Sequence, residues 1–461
     1  MKLVVVFFIL YNIATSFAQT LSIEQFLNII RQNHPVVSLS KIEIEKAKAN
    51  INIAKGAFNP ILETYVGRKT LDQETYYRDL SPSLNIPTWF GLDFHAGIEQ
   101  LSGSRTSPVE TLGQSSYLGF SVPLAKNLLL DKRRAALQQS KLFQNMAILE
   151  QATIINDILM DAAAHYWQWC NAFLVLKTLD AAELVANRRL DFVRQSFLNG
   201  ERPAIDTLEA ITQYQNLLLQ RTESQMTFIN EGLMLSTFLW LPDNIPYQLS
   251  ETIEPSTNQE SELIVSQFTL DLSELLQSAE DNHPVLAIYR EKSNILLIDK
   301  KLKFQSLLPK ADFTYNIIDK DFIPVSSEGL FFRNNYQYGL KFSMPLLFST
   351  AKGEYRQAKL KISENQIMTE QKKNELLNKI RLYHNEYLNY QNQIKTQEQM
   401  LQNFQNLLIA EETLLFNGES SLFLINSREN KVLETQKKLI ELKTKYFKSI
   451  YSVRWSAGLL Q

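Results

Sequence analysis

The chain has one cysteine and five histidines in 461 residues. A lone cysteine excludes an intrachain disulfide framework. So few of either residue leave little for metal or nucleophile chemistry. Cys170 stands in HYWQWCNAF, inside a helical pattern, and reads as a buried small apolar residue. Charge of one sign is lacking too: 47 Lys and Arg face 49 Asp and Glu, a net of −2. A nucleic-acid partner, which calls for a basic face, is not expected. No Ser-His-Asp spacing, phosphate loop or catalytic carboxylate pair emerges, so neither an enzyme nor a cofactor is expected. No internal run reaches the ~20 apolar residues of a membrane-spanning helix.

What is present begins at the N-terminus. MKLVVVFFILYNIATSFAQT has Lys2, an apolar run from Leu3 to Ile13, then Ser16 and Ala18 before Gln19. That pattern predicts a cleaved signal peptide over residues 1–18. No cysteine stands at the cleavage point, so no lipid anchor is expected. An exported chain without a spanning helix crosses a membrane only as a closed β-barrel.

Glycine and proline are sparse, and their spacing is informative. None occurs between Pro123 and Gly200, or between Gly353 and Gly418. As helix, the first run of ~75 residues reaches on the order of 110 Å. These runs are rich in Leu, Ala, Gln, Lys and Glu, which favour helix. After Pro203, the series Ile205, Leu208, Ile211, Tyr214, Leu217 predicts the apolar stripe of a packed helix.

The chain also repeats itself. NHPV occurs at Asn33–Val36 and at Asn282–Val285, each followed at equal distance by a proline, Pro60 and Pro309. GFSVPL (Gly119–Leu124) returns as GLKFSMPL (Gly339–Leu346), and LNG (Leu198–Gly200) returns as FNG (Phe416–Gly418). The order is the same in both halves, which implies one structural unit used twice. Each NHPV reads as a helix start, with proline in the first turn and Asn33 or Asn282 as cap. His34 and His283 have no companions at metal-ligand spacing.

Strands are expected between the helical runs. Alternation marks 92–101, 116–123, KADFTYNI (310–317) and NYQYGLKFSM (335–344), and the repeat alignment marks 61–69. Segments of ~9–10 alternating residues suit tilted membrane strands. Tyr76, Tyr77, Trp89, Phe90, Phe322, Phe331 and Phe332 crowd the expected strand ends. Each half is expected to cross the membrane an even number of times. Whether 61–69 or 92–101 crosses in the first half stays open. The expected domains are a first repeat over 19–240, a Pro- and Ser-rich linker over 241–268, and a second repeat over 269–461.

With its doubled NHPV, its doubled SVPL/SMPL strand end and its doubled NG turn, the mature chain resembles the outer-membrane efflux protein family, the TolC-like channels. The resemblance implies a mixed α and transmembrane β fold in the outer membrane. A homotrimer would share one barrel, with about four strands per protomer, continued by a long periplasmic α-helical barrel. It implies an exit duct for small molecules or proteins, served by a periplasmic adaptor (a membrane fusion protein) and an inner-membrane pump. Asn199, Gly200, Asn417 and Gly418 would be the helix-hairpin turns that meet the adaptor. Similar channels carry aspartates just after both turns. Counted from the glycine, Asp206 matches in the first half, with Glu209 one turn on. Leu424 and Ser427 stand at the corresponding positions of the second half, where an apolar constriction of Leu422, Phe423 and Leu424 is the alternative. The rival to a channel is an exported coiled-coil scaffold, which accounts for the helices and not for the duplicated strands.

Overall fold

The computed structural model describes residues 20–104, 111–250, 252–256, 270–320 and 335–460. The expected signal peptide, much of the linker, and Phe322, Phe331 and Phe332 lie outside these residues. The first half runs α1 (Ile23–Asn33), α2 (Pro35–Gly56), β1 (Ile61–Leu71), β2 (Glu74–Pro87), β3 (Asp93–Ser102), β4 (Gly113–Pro123), α3 (Lys132–Leu198) and α4 (Ala204–Ser236). The second runs α5 (Leu272–Asn282), α6 (Pro284–Gln305), β5 (Lys310–Asp319), β6 (Tyr336–Ser343), α7 (Ser349–Phe416) and α8 (Leu422–Ser456). The repeat extends to lengths: α1 and α5 have 11 residues, α2 and α6 have 22, and α3 and α7 have 67 and 68. None of the described helices is long and apolar enough to cross a membrane.

Each NHPV is a break between two helices, and the cap differs from the expectation. Asn33 and Asn282 end α1 and α5. His34 and His283 adopt extended conformations, ψ 132° and 125°, as residues before proline must to avoid its ring. The cap position before Pro35 therefore falls to His34, whose Nδ1 accepts a hydrogen bond from the Val36 N–H at 3.2 Å. Burial pushes the His34 imidazole below its ordinary pKa.

The chain divides into two compact units, each drawing on both halves. The first comprises Met1–Lys41, Gln151–Pro284 and Lys373–Gln461. Its core begins with α1, whose Ile23, Phe26, Leu27 and Ile30 form one buried stripe. Ser22 and Gln25 close a reciprocal capping box at its start. Against it pack Leu159, Tyr166 and Trp169 of α3, Leu235 of α4, Ile380 of α7 and Phe447 of α8. Trp167 stacks on Phe447 with centroids 4.5 Å apart. Cys170 is buried in this core.

The second unit comprises Ile42–Glu150 and Val285–Lys372 and holds a six-stranded antiparallel sheet, ordered β6-β5-β4-β3-β2-β1. About four strands were expected per protomer. Both open candidates, 61–69 and 92–101, are strands of this sheet, and the strand between them, β2, has no counterpart in the expectation. Its sequence ETYYRDLSPSLNIP carries two prolines and two serines, which weaken the strand signal. The sheet accommodates Pro82 where the β2–β3 ladder skips from Leu80↔Gln100 to Ser83↔Gly97. Tyr76 and Tyr77 stand near the start of β2. Trp89 and Phe90 occupy the β2–β3 turn, edge to face at 5.5 Å.

Candidate functional site

The two helix-hairpin turns lie in the first unit, and each is built the same way. Gly200 has φ +77° and Gly418 φ +78°, a left-handed conformation that glycine adopts without a Cβ penalty. The Gly200 N–H donates to Phe197 O (2.9 Å) and the Glu201 N–H to Ser196 O (2.8 Å). The Gly418 N–H donates to Leu415 O (3.1 Å) and the Glu419 N–H to Leu414 O (2.9 Å). This crossed pair satisfies carbonyls that the helix end would leave open. Asn199, Gly200, Asn417 and Gly418 are all exposed. So are the apolar residues just before them: Leu198 is 74% accessible and Phe416 91%.

The return helices present both greasy and charged groups. On α4 the buried residues are Ala210, Gln213 and Leu217. Ile205 and Leu208, expected in the packed stripe, are 68% and 66% exposed. They precede the point where α4 meets its neighbours, so periodicity there marks an uncovered face. Asp206 stands in the first turn of α4, pairing with Arg202 at 3.1 Å, and both side chains are half-buried. Glu209 accepts a hydrogen bond from Asn426 Nδ2 at 3.3 Å. On α8, Leu422 is buried against Leu190, Val193 and Ala210, whereas Phe423, Leu424 and Ser427 are exposed. Leu422 therefore belongs to the helix packing, and Leu424 and Ser427 share an open face.

Behind these groups runs a polar seam that no sequence motif marks. Arg189 of α3 grips Glu429 of α8 with both terminal nitrogens and also reaches Asn426 at 3.4 Å. Burial works against the Arg189 charge, but the Glu429 carboxylate outweighs it and holds the guanidinium above its ordinary pKa. One turn on, Gln213 and Asn430 exchange hydrogen bonds at 2.9 and 3.5 Å. Then Lys437 donates to Gln220 at 2.7 Å. Glu411 of α7, buried, accepts from Ser420 (2.6 Å) and Arg428 (3.4 Å) across the second turn. The available signal was Asn426 falling in the stripe Leu422, Ile425, Leu433. A buried amide there needs a partner on a neighbouring helix.

Three solved structures show what the architecture is like. The Campylobacter jejuni CmeC outer membrane channel matches with a TM-score of 0.65 at 15% identity, over 95% of this chain and 85% of that one. The outer membrane protein VceC from Vibrio cholerae matches at 0.63 and 14%, over 95% and 96%. The open state of the Neisseria gonorrhoeae MtrE outer membrane channel matches at 0.64 and 11%, over 95% and 89%. The chain has the fold of these outer-membrane channels. No family model and no curated protein matches it by sequence.

Proposed function

We propose that the chain is a TolC-like outer-membrane efflux protein. It acts as a homotrimeric exit duct that carries small molecules or proteins from a periplasmic adaptor and inner-membrane pump to the outside. The observation that carries this is the six-stranded sheet whose two edges are unpaired among the described residues. Such edges suit a membrane only when closed into a barrel by further copies. On this reading residues 19–240 and 269–461 are the two repeats, 241–268 joins them, and 1–18 is removed on export. The reading assigns no catalytic role and no cofactor. A peripheral scaffold leaves the outer membrane on carbonate or high-salt washing. The channel is expected to stay and to need detergent, and release by carbonate overturns the reading.

The turns are read as the adaptor contact. Asn199, Gly200, Asn417 and Gly418 sit beside exposed Leu198 and Phe416, so each turn offers one apolar residue and a free Asn-Gly edge. Asp206, Glu209, Leu424 and Ser427 are read as lining the narrow end of the duct. Because Asp206 pairs with Arg202, Asp206→Asn leaves Arg202 uncompensated and adds three positive charges per trimer. A ring of like charge at a constriction biases ion passage. The reversal potential in a salt gradient is expected to shift towards anions. An unchanged potential removes these residues from the pore.

A further inference from the structure

The strands of the sheet share one feature that the strand count alone does not convey. One ladder row crosses all six: Leu62, Leu84, Ala96, Leu118, Ile317 and Tyr336 are successive cross-strand neighbours. Every member is apolar or aromatic. The row next to it, on the opposite face, runs Ile61, Asn85, His95, Gly119, Asn316, Gln337, with Ile61 its one apolar side chain. Within it His95 Nε2 meets Asn316 Oδ1, and Asn316 donates to Gln337 at 3.3 Å. The apolar face thus continues through the β1–β2 hairpin at the same height as through the other four strands. A hairpin outside the membrane needs no such face. A membrane strand needs it on its lipid side and tolerates polar groups on its lumen side.

The edges agree. β1 pairs only with β2, and β6 only with β5, among the described residues. All pairs in the sheet are antiparallel. With an even number of strands, β1 and β6 run in opposite directions, so β1 of one copy can continue the antiparallel ladder on β6 of the next. That contact is head-to-tail, and a head-to-tail contact that closes generates a ring. In lipid the unpaired edge groups have no other partner.

We propose that all six strands of each chain cross the membrane, and that three copies close edge to edge into a barrel of eighteen strands. The proposal rests on the channel reading above. Barrels of 16–18 strands leave an open aqueous channel, whereas barrels of about eight strands fill with side chains. The mouth is therefore wide enough for bulky hydrated cargo, and selection falls to the helical part of the duct.

The test is disulfide mapping on the full chain in outer membranes, in a Cys170→Ala background. Val66→Cys on β1 is combined with Leu340→Cys on β6, with further pairs scanned from Leu62 and Thr64 to Tyr338 and Phe342. Oxidation is expected to give covalent dimers and trimers, and neither single cysteine alone gives any. Cross-links from Leu340→Cys to Ile98→Cys on β3, and none to β1, overturn the proposal while leaving a four-strand channel standing. A ladder that stops at two copies overturns it too, as does a conducting protein in which no β1–β6 pair links. Cross-links absent together with conductance count against the channel reading itself. As a second measurement, Leu84→Arg is expected to lower the assembled fraction about tenfold or more while Ser83→Arg is tolerated. Equal tolerance of both takes β2 out of the membrane and overturns the proposal.

Discussion

Gly418→Pro is expected to abolish export while the protein still inserts in the outer membrane. Gly418 sits at φ +78°, and the proline ring fixes φ near −65°. Proline also removes the N–H that reaches Leu415 O and disturbs the Glu419 bond to Leu414 O. The end of α7 and the start of α8 must then rearrange together. The sheet belongs to the other compact unit. Gly418→Ala is the control. An added Cβ meets nothing within 4 Å there, so only the left-handed backbone is penalised, by about 1–2 kcal/mol. The alanine variant is expected to keep most export. Gly200→Pro and Gly200→Ala should follow the same pattern, since that turn is equally open at φ +77°. Efflux of a dye or drug from intact cells, beside outer-membrane yield, reads both effects. Normal export by either proline variant ends the assignment of the turns to the adaptor contact.

Arg189→Ala is expected to destabilise the helical unit by about 2–3 kcal/mol, a discounted value for breaking a partly buried pair. Glu429 would keep a carboxylate in a seam of amides that includes Asn426, with Glu412, the other acidic group acting on Arg189, lining the same cavity. Glu429→Ala strands Arg189 in the same way. The double variant is expected to lose less than the sum of the two, because the penalty of each single change is the stranded partner. Function should move with stability. Arg189 joins the last part of α3 to the start of α8, and loosening that joint is expected to raise basal conductance. Thermal melting of the helical signal and single-channel recording report the two effects. Strict additivity of the two single changes, with unaltered conductance, reduces the pair to surface decoration.

Much of the fold was legible because the chain writes it twice. NHPV, SVPL/SMPL and LNG/FNG locate the helix break, the last strand of each set and the hairpin turn in both halves. The sparse glycines were informative because Gly200 and Gly418 both adopt positive φ. The strand β2 was illegible for a local reason: Pro82 and its neighbouring serines look like a loop, and only the skipped ladder positions make room for them. On α4 the apolar period named Leu217, which is buried, and Ile211 and Tyr214, which pack against the core, but it also named the exposed Ile205 and Leu208 and missed the buried Ala210 and Gln213. A helix of small and polar inward residues has a weak apolar signature, since closely packed neighbours replace side-chain bulk. The Arg189–Glu429 seam was invisible for the same reason. The partners that α3 and α4 find on α8 lie more than 200 positions away, and nothing local says which helices meet.

Single-channel recording of the purified full-length chain in a planar lipid bilayer tests the central claim most directly. The account predicts stepwise ion conductance from a trimer that survives detergent extraction. A folded, stable monomer that inserts without conductance steps would contradict it.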